Sequence, residues 1–105
     1  MMSAPDEVIH QSLRLRIMAT LNALPAQEQM EFTRLRAILA ATDGNLGAHV
    51  TTLENAGYIS VEKDFVARKP RTRVAATPKG RQAFARHVAF LRGLIEDPPV
   101  SMAAD

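Results

Sequence analysis

Seven basic side chains lie close together within residues 63–81 of this 105-residue chain. They are Lys63, Arg68, Lys69, Arg71, Arg73, Lys79 and Arg81. Asp64 is the only acidic residue among them, so the segment carries a formal charge of +6, whereas residues 1–62 carry −3 and residues 82–105 carry −1. A dense run of one sign is more typical of a surface that binds a polyanion than of an ordinary solvated loop.

The other chemically active residue types indicate no catalytic or metal site. Cysteine is absent, which excludes a disulfide, a thiolate zinc site and a cysteine nucleophile. His10, His49 and His87 have none of the local spacings of paired metal ligands. Paired carboxylates occur only near the chain ends, and no phosphate loop, H-E-x-x-H or G-x-S-x-G motif is present. We therefore expect neither an enzyme nor a bound cofactor or metal.

The composition predicts one small globular domain. Hydrophobic residues make up 47% and charged residues 23% of the chain, close to globular averages. The longest uncharged run, residues 17–27, is too short to span a bilayer, and the acidic start does not resemble a secretory signal. With the lack of cysteine, these features favour a cytoplasmic location. We place the domain at residues 6–96, between an N-terminal extension (residues 1–5) and a disordered tail (residues 97–105).

Hydrophobic spacing predicts a first helix that starts after Pro5 and is closed by Pro25. Its apolar stripe consists of Ile9, Leu13, Ile17, Leu21 and Leu24. A very short strand is expected over residues 30–32. Thr33 is then expected to cap a short second helix that ends near Ala41.

A third helix is expected to follow Thr42 as its N-cap and to end at Gly57 in a left-handed conformation. Its buried stripe would consist of Leu46, Val50, Leu53 and Ala56. The residues turned outward would be Asn45, Ala48, Thr51, Thr52 and Asn55. This face is small and almost uncharged, so it could enter the major groove of B-DNA and offer hydroxyl and amide groups to base edges.

From Tyr58 the hydrophobic period changes from 3.6 to 2, which predicts a β-hairpin with its turn at residues 67–71. One face of the first strand would carry Ile59, Val61 and Phe65.

A last helix would begin after Thr77. One apolar stripe of this helix would consist of Phe84, Val88, Leu91 and Ile95, and a second stripe beside it of Phe90 and Leu94. This order of elements is that of a winged helix-turn-helix, a mainly α fold with a small β-sheet (α+β).

Several segments resemble the small winged-helix transcriptional regulators related to the MarR and ArsR groups. They are residues 42–46 (TDGNL), His49, 53–54 (LE), 56–58 (AGY), 63–65 (KDF), 68–72 (RKPRT) and 77–81 (TPKGR). The resemblance implies a homodimer that binds a palindromic duplex site and regulates transcription. The third helix would lie in the major groove, and the basic hairpin would lie on the flanking backbone or in the minor groove. Gly47 and Ala48 depart from the polar residues common in such regulators, so base reading is expected to rest more on Asn45, Thr51 and Thr52.

The predicted interface has three parts. Bases would be read by the outward residues of the third helix. DNA backbone contacts are assigned to Thr42, His49, Arg68, Lys69, Arg71, Thr72 and Arg73, and the dimer interface to Val8, Leu15, Phe90 and Leu94. Whether a small-molecule effector binds is left open, because no convergent polar cluster indicates a site for it. The alternative function is a winged-helix protein–protein interaction module without specific DNA binding, which the four cations around Pro70 disfavour.

Overall fold

Residues 4–98 are described by a computed structural model, and within them four helices accompany a three-stranded antiparallel sheet. The elements are α1 (Ser12–Asn22), β1 (Met30–Glu31), α2 (Phe32–Leu39), α3 (Asp43–Asn55), β2 (Ile59–Val66), β3 (Lys69–Ala76) and α4 (Pro78–Glu96). The strand order is β1-β3-β2. This confirms the predicted winged helix-turn-helix. In the described part of the chain, no helix is long and apolar enough to cross a membrane.

The core lies between the four helices and the base of the sheet, with α4 contributing Ala83. It contains Leu46, Val50 and Leu53 of the predicted α3 stripe, together with residues from α1, α2 and the strands. Ala56, the fourth residue of that stripe, is the C-cap and is only half-buried. The largest fully buried side chains are Ile9, Ile17, Met18, Leu21, Leu35, Leu46, Leu53, His87 and Val74. Each buried aliphatic side chain contributes about 1.5–3 kcal/mol, so this packing fixes the orientation of α3.

The predicted start of the first helix is wrong, because α1 begins only at Ser12. The Asp6 carboxylate accepts hydrogen bonds from the amides of Val8 and Ile9 and closes a separate turn. Gln11 then occupies the N-cap position, and its side-chain oxygen accepts from the Arg14 amide. A local aspartate turn thus interrupts what hydrophobic spacing alone reads as one helix.

The second helix begins one residue before the predicted cap. Met30 and Glu31 pair with Val74 and Arg73 and lead directly into α2, so Phe32 is helical and Thr33 lies inside the helix rather than at its N-cap. The helix ends at Leu39, before Ala40 in a left-handed conformation with φ 51°.

The boundaries of α3 agree with the prediction, but the hairpin turn is shorter than expected. Thr42 caps the helix and Gly57 follows it with φ +80°. The turn between β2 and β3 consists of Ala67 and Arg68, with φ 50° and 67°, and not of residues 67–71. Two consecutive left-handed residues match the twist of a two-residue hairpin turn, so β3 already begins at Lys69.

The last helix starts as predicted and then leaves the core. Thr77 accepts a hydrogen bond from the Gly80 amide, and Pro78 is the first helical residue. The buried residues of α4 are Gly80, Ala83 and His87, whereas Ile95, the last residue of the predicted apolar stripe, is 80% exposed. The helix ends at Glu96. Most of the predicted tail (residues 97–105), from residue 99 onward, and the first three residues of the predicted extension lie outside the described residues.

Candidate nucleic-acid interface

The outward face of α3 carries the residues that the sequence assigned to base reading. All five are exposed: Asn45, Ala48, Thr51, Thr52 and Asn55. The Asp43 carboxylate at the start of the helix forms an ion pair with Arg36 of α2, with Oδ1 2.9 Å from Nε. The face therefore presents mainly small polar side chains, with Glu54 as its other acidic group.

The hydroxyls and amides on this face differ in their freedom to bind a ligand. The Thr52 hydroxyl donates to the carbonyl of Ala48 at 3.2 Å, so its oxygen is left to act as an acceptor. The Thr42 hydroxyl accepts from the Asn45 amide at 3.2 Å. Within residues 4–98, the side-chain amides of Asn45 and Asn55 have no hydrogen-bond partner and remain available as donors and acceptors.

His49 lies half-buried at the edge of α3 and is held by Arg14 of α1. Arg14 Nη1 lies 3.0 Å from His49 Nδ1, and Arg14 Nε donates to the carbonyl of Val8. A guanidinium group can only donate, so Nδ1 accepts and Nε2 carries the ring proton. The predicted backbone-contact residue is thus oriented by a residue that the sequence analysis did not select.

The predicted cations of the hairpin do not form one uniform cluster. Cross-strand pairing places Glu62 opposite Arg73 and Asp64 opposite Arg71. Arg71 donates to both Asp64 oxygens at 3.0 and 2.7 Å, and Arg73 Nη2 lies 2.6 Å from Glu62 Oε1 and 2.9 Å from Asp64 Oδ2. The hydrogen bond from Arg71 lowers the pKa of Asp64. Arg71 and Arg73 are therefore already paired, which sequence reasoning missed because the pairs depend on strand register.

Arg68 and Lys69 occupy the tip of the hairpin. Both are exposed, and within residues 4–98 neither forms an ion pair. Arg68 is the second left-handed residue of the turn, and Lys69 is the first residue of β3. They are the predicted backbone-contact cations that the structure leaves most accessible.

A groove of about 500 Å³ separates α3 from the hairpin. Its lining residues are Phe32, Gly47, Val50, Thr51, Glu54, Val61, Lys63 and Thr72. Thr72 thus lies on the strand face beside α3, whereas Arg71 and Arg73 lie on the opposite face. Lys63 is a groove residue that the predicted site omitted, although its alternation with Val61 and Phe65 could have placed it there.

The four residues assigned to a dimer interface fall into two groups. Val8 and Leu15 are partly buried and pack against the core. Phe90 and Leu94 are half-buried on the part of α4 beyond the core, with the Phe90 ring centroid 6.0 Å from that of His87.

Asp6, Tyr58 and His87 connect the segment before α1, the loop between α3 and β2, and α4. Tyr58 donates its hydroxyl to Asp6 Oδ2 at 2.7 Å, and the Asp6 amide donates to His87 Nδ1 at 3.0 Å. Burial raises the pKa of Asp6, but the hydrogen bonds from Tyr58, Ile9 and Val8 outweigh it, and the net pKa is lowered. Within residues 4–98, no group of three histidine or acidic side chains could hold a metal ion.

Comparison with known proteins identifies similar sequences and folds. The model of a family described as winged helix DNA-binding domain matches residues 13–95. An uncharacterized protein of Methanocaldococcus jannaschii is 33% identical over 82 residues, which cover 78% of this chain and 86% of that protein.

Solved structures share the arrangement of helices and strands. A transcriptional regulator homologue from Pyrococcus horikoshii OT3 has a TM-score of 0.78 at 27% identity, covering 90% of this chain and 91% of that one. Streptococcus pneumoniae FabT, solved in complex with DNA, has a TM-score of 0.56 at 19% identity, covering 92% and 71% of the two chains. This second likeness is one of fold.

Proposed function

Because this chain belongs to the winged helix DNA-binding domain family, we propose that it regulates transcription by binding a palindromic duplex site as a homodimer. The resemblance to winged-helix regulators read from the sequence is thereby confirmed. The observation that carries the proposal is the position of an exposed, mostly uncharged face of α3 beside a hairpin tip with two cations, Arg68 and Lys69, that pair with no carboxylate of residues 4–98. The Pyrococcus horikoshii protein, described as a transcriptional regulator homologue, supports the regulatory role.

In this proposal α3 lies in the major groove. The side-chain amides of Asn45 and Asn55, which bind no other group in the described part of the chain, can pair with base edges, and Thr51 can add a hydroxyl. Ala48 lets the helix approach closely, and Thr52 contributes an acceptor because its proton is used within the helix. The Thr42 hydroxyl at the start of α3 and the Nε2–H group of His49 donate hydrogen bonds to phosphates. The N-terminus of the helix attracts the same phosphates.

The hairpin supplies the phosphate contacts that flank the groove. Arg68 and Lys69 bind without first breaking an ion pair, so they contribute most of the electrostatic attraction. Arg71 donates hydrogen bonds to Asp64, and Arg73 donates to Glu62 and Asp64, so both act mainly by holding the two strands in register. Thr72 lines the groove beside α3 together with Thr51, so its hydroxyl is available to DNA bound at that groove.

Dimerisation is assigned to Phe90 and Leu94 on α4, with Val8 and Leu15 at the margin. Half-buried apolar groups beyond the core are the type of surface that a second subunit covers. A two-fold dimer would place its two α3 helices about 34 Å apart, one turn of B-DNA, or at a multiple of that spacing.

Selection of bound sequences from a random duplex pool at physiological salt tests the proposal. We expect an enriched palindrome whose half-sites are separated by about 10 base pairs or a multiple. Enrichment of no sequence, together with binding that does not depend on salt, would favour the protein–protein interaction module instead.

A further inference from the structure

Phe65 is an aromatic side chain that the hairpin leaves 73% exposed. The other phenylalanines and Tyr58 are all at least half-buried within the described residues. Cross-strand pairing places Phe65 directly opposite Pro70, which is also exposed, so the two form one apolar patch near the tip of the hairpin.

The patch lies on the side of the hairpin that faces α3. Side chains alternate along a strand, so Phe65 shares its face with Val61 and Lys63, both of which line the groove beside α3. Pro70 shares its face with Thr72, another groove residue. The apolar patch therefore continues the proposed DNA-binding surface outward, whereas neighbouring Val66 lies on the opposite face with Lys69.

The charges beside this patch and its distance from the base of β2 both indicate which partner covers it. Lys63 shares the face of the patch, Arg68 lies in the adjoining turn and Lys69 lies on the opposite face, and all three cations are exposed. The partner is therefore negatively charged and offers an apolar recess between its charges. Phe65 lies six residues along β2 from Ile59, about 20 Å at the rise of a strand. With α3 in the major groove, that distance reaches past the phosphate backbone into the adjacent minor groove, whose sugar faces are apolar.

We infer that Phe65, supported by Pro70, inserts into the minor groove of duplex DNA as an apolar wedge while Arg68 and Lys69 hold the phosphates on either side. This rests on the proposed function. Wedges of this type partly unstack a base step, so the contact selects flanking sequences by their deformability, with pyrimidine–purine steps favoured. The residue thus adds specificity at positions that α3 does not touch.

Fluorescence tests the location directly, because the chain contains no tryptophan. Phe65→Trp and the matched control Val66→Trp each carry one reporter, on opposite faces of the same strand. With a selected duplex of about 40 base pairs, acrylamide quenching of the reporter at position 65 should fall on binding, and quenching at position 66 should change much less. Equal accessibility of the position-65 reporter in the free and bound states would overturn the inference.

Affinity measurements separate failure of this inference from failure of the proposed function. Phe65→Ala should weaken binding by about tenfold with an unchanged salt slope, since the lost contact is apolar, and Val66→Ala should bind like the wild type. Replacing flanking G·C pairs by inosine·C removes only a minor-groove amino group, and it should tighten binding by the wild type but not by Phe65→Ala. If the wild type binds no duplex, the proposed function fails. If it binds and Phe65→Ala binds equally well, the wedge alone is wrong.

Discussion

His87 shows how burial makes one side chain sensitive to pH. It is 2% exposed, and its Nδ1 accepts a hydrogen bond from the Asp6 amide. Burial lowers the pKa of His87 below its ordinary value of 6.5; the Asp6 carboxylate opposes this shift and His10 adds to it. The unfolded chain therefore binds a proton that the folded chain excludes, and the free energy of unfolding should fall as the pH drops below about 6.5.

Urea unfolding at about pH 8 and pH 5.5 measures this effect. His87→Gln retains an acceptor for the Asp6 amide but does not titrate, so it should lose less stability in acid than the wild type. His10→Gln removes only the smallest contribution to the lowered pKa of His87, so it should reduce the acid loss much less than His87→Gln does. Because the pKa of Asp6 is lowered, its protonation reduces the free energy of unfolding only at pH values below 3.8. The same acid loss in His87→Gln as in the wild type would contradict the assignment.

Asn45 is the α3 side chain best suited to recognise a base. Replacement by Ala should cost about 1–3 kcal/mol per half-site on a selected sequence and much less on unselected DNA. The backbone amide that Thr42 accepts from stays in place, and Ala is the better helix former, so stability should not decrease. Equal losses on both kinds of DNA would show that Asn45 positions the protein without reading sequence.

The junction of α4 with β2 depends on the absence of one side chain. A Cβ at Gly80 would lie 2.0 Å from the Tyr58 carbonyl oxygen, whereas a Cβ at Gly93 would meet nothing within 4 Å. Gly80→Ala should lower the free energy of unfolding by about 1–3 kcal/mol or more. Gly93→Ala, in the same helix, should raise it by about 0.5–1 kcal/mol. Thermal unfolding of the two variants distinguishes them, and equal stability would contradict the close approach.

Elements defined by local signals could be predicted from the sequence. Thr42, Gly57 and Thr77 each act through hydrogen bonds or backbone conformation within a few residues, and their roles agree with the structure. Features that depend on pairing between distant segments could not be predicted from the sequence. The residue at which α2 begins depends on the pairing of β1 with β3, and the ion pair of Arg71 with Asp64 depends on the register of the hairpin. The fold was therefore predictable, whereas the division of the hairpin cations into paired and free groups was not.

A charged substitution in the apolar part of α4 tests whether two subunits assemble there. Leu94→Glu should place a charge within the proposed interface, so light scattering should show a monomer, and affinity for a palindrome should fall with it. Ala85 is exposed about 180° around the same helix, and Ala85→Glu provides the same charge as a control. A monomeric wild type, or a dimer that survives Leu94→Glu, would remove Leu94 from the interface.

Salt dependence of DNA binding tests the central claim that α3 and the hairpin tip form one surface for duplex DNA. The logarithm of the binding constant should fall linearly with the logarithm of salt concentration, with a slope of about −0.9 per phosphate contacted. Joint replacement of Arg68 and Lys69 by Ala should make that slope shallower by about 3 to 4 in a dimer, whereas Arg92→Ala on α4 should leave it unchanged. No binding to any duplex at low ionic strength, or an identical slope in all three proteins, would contradict the account.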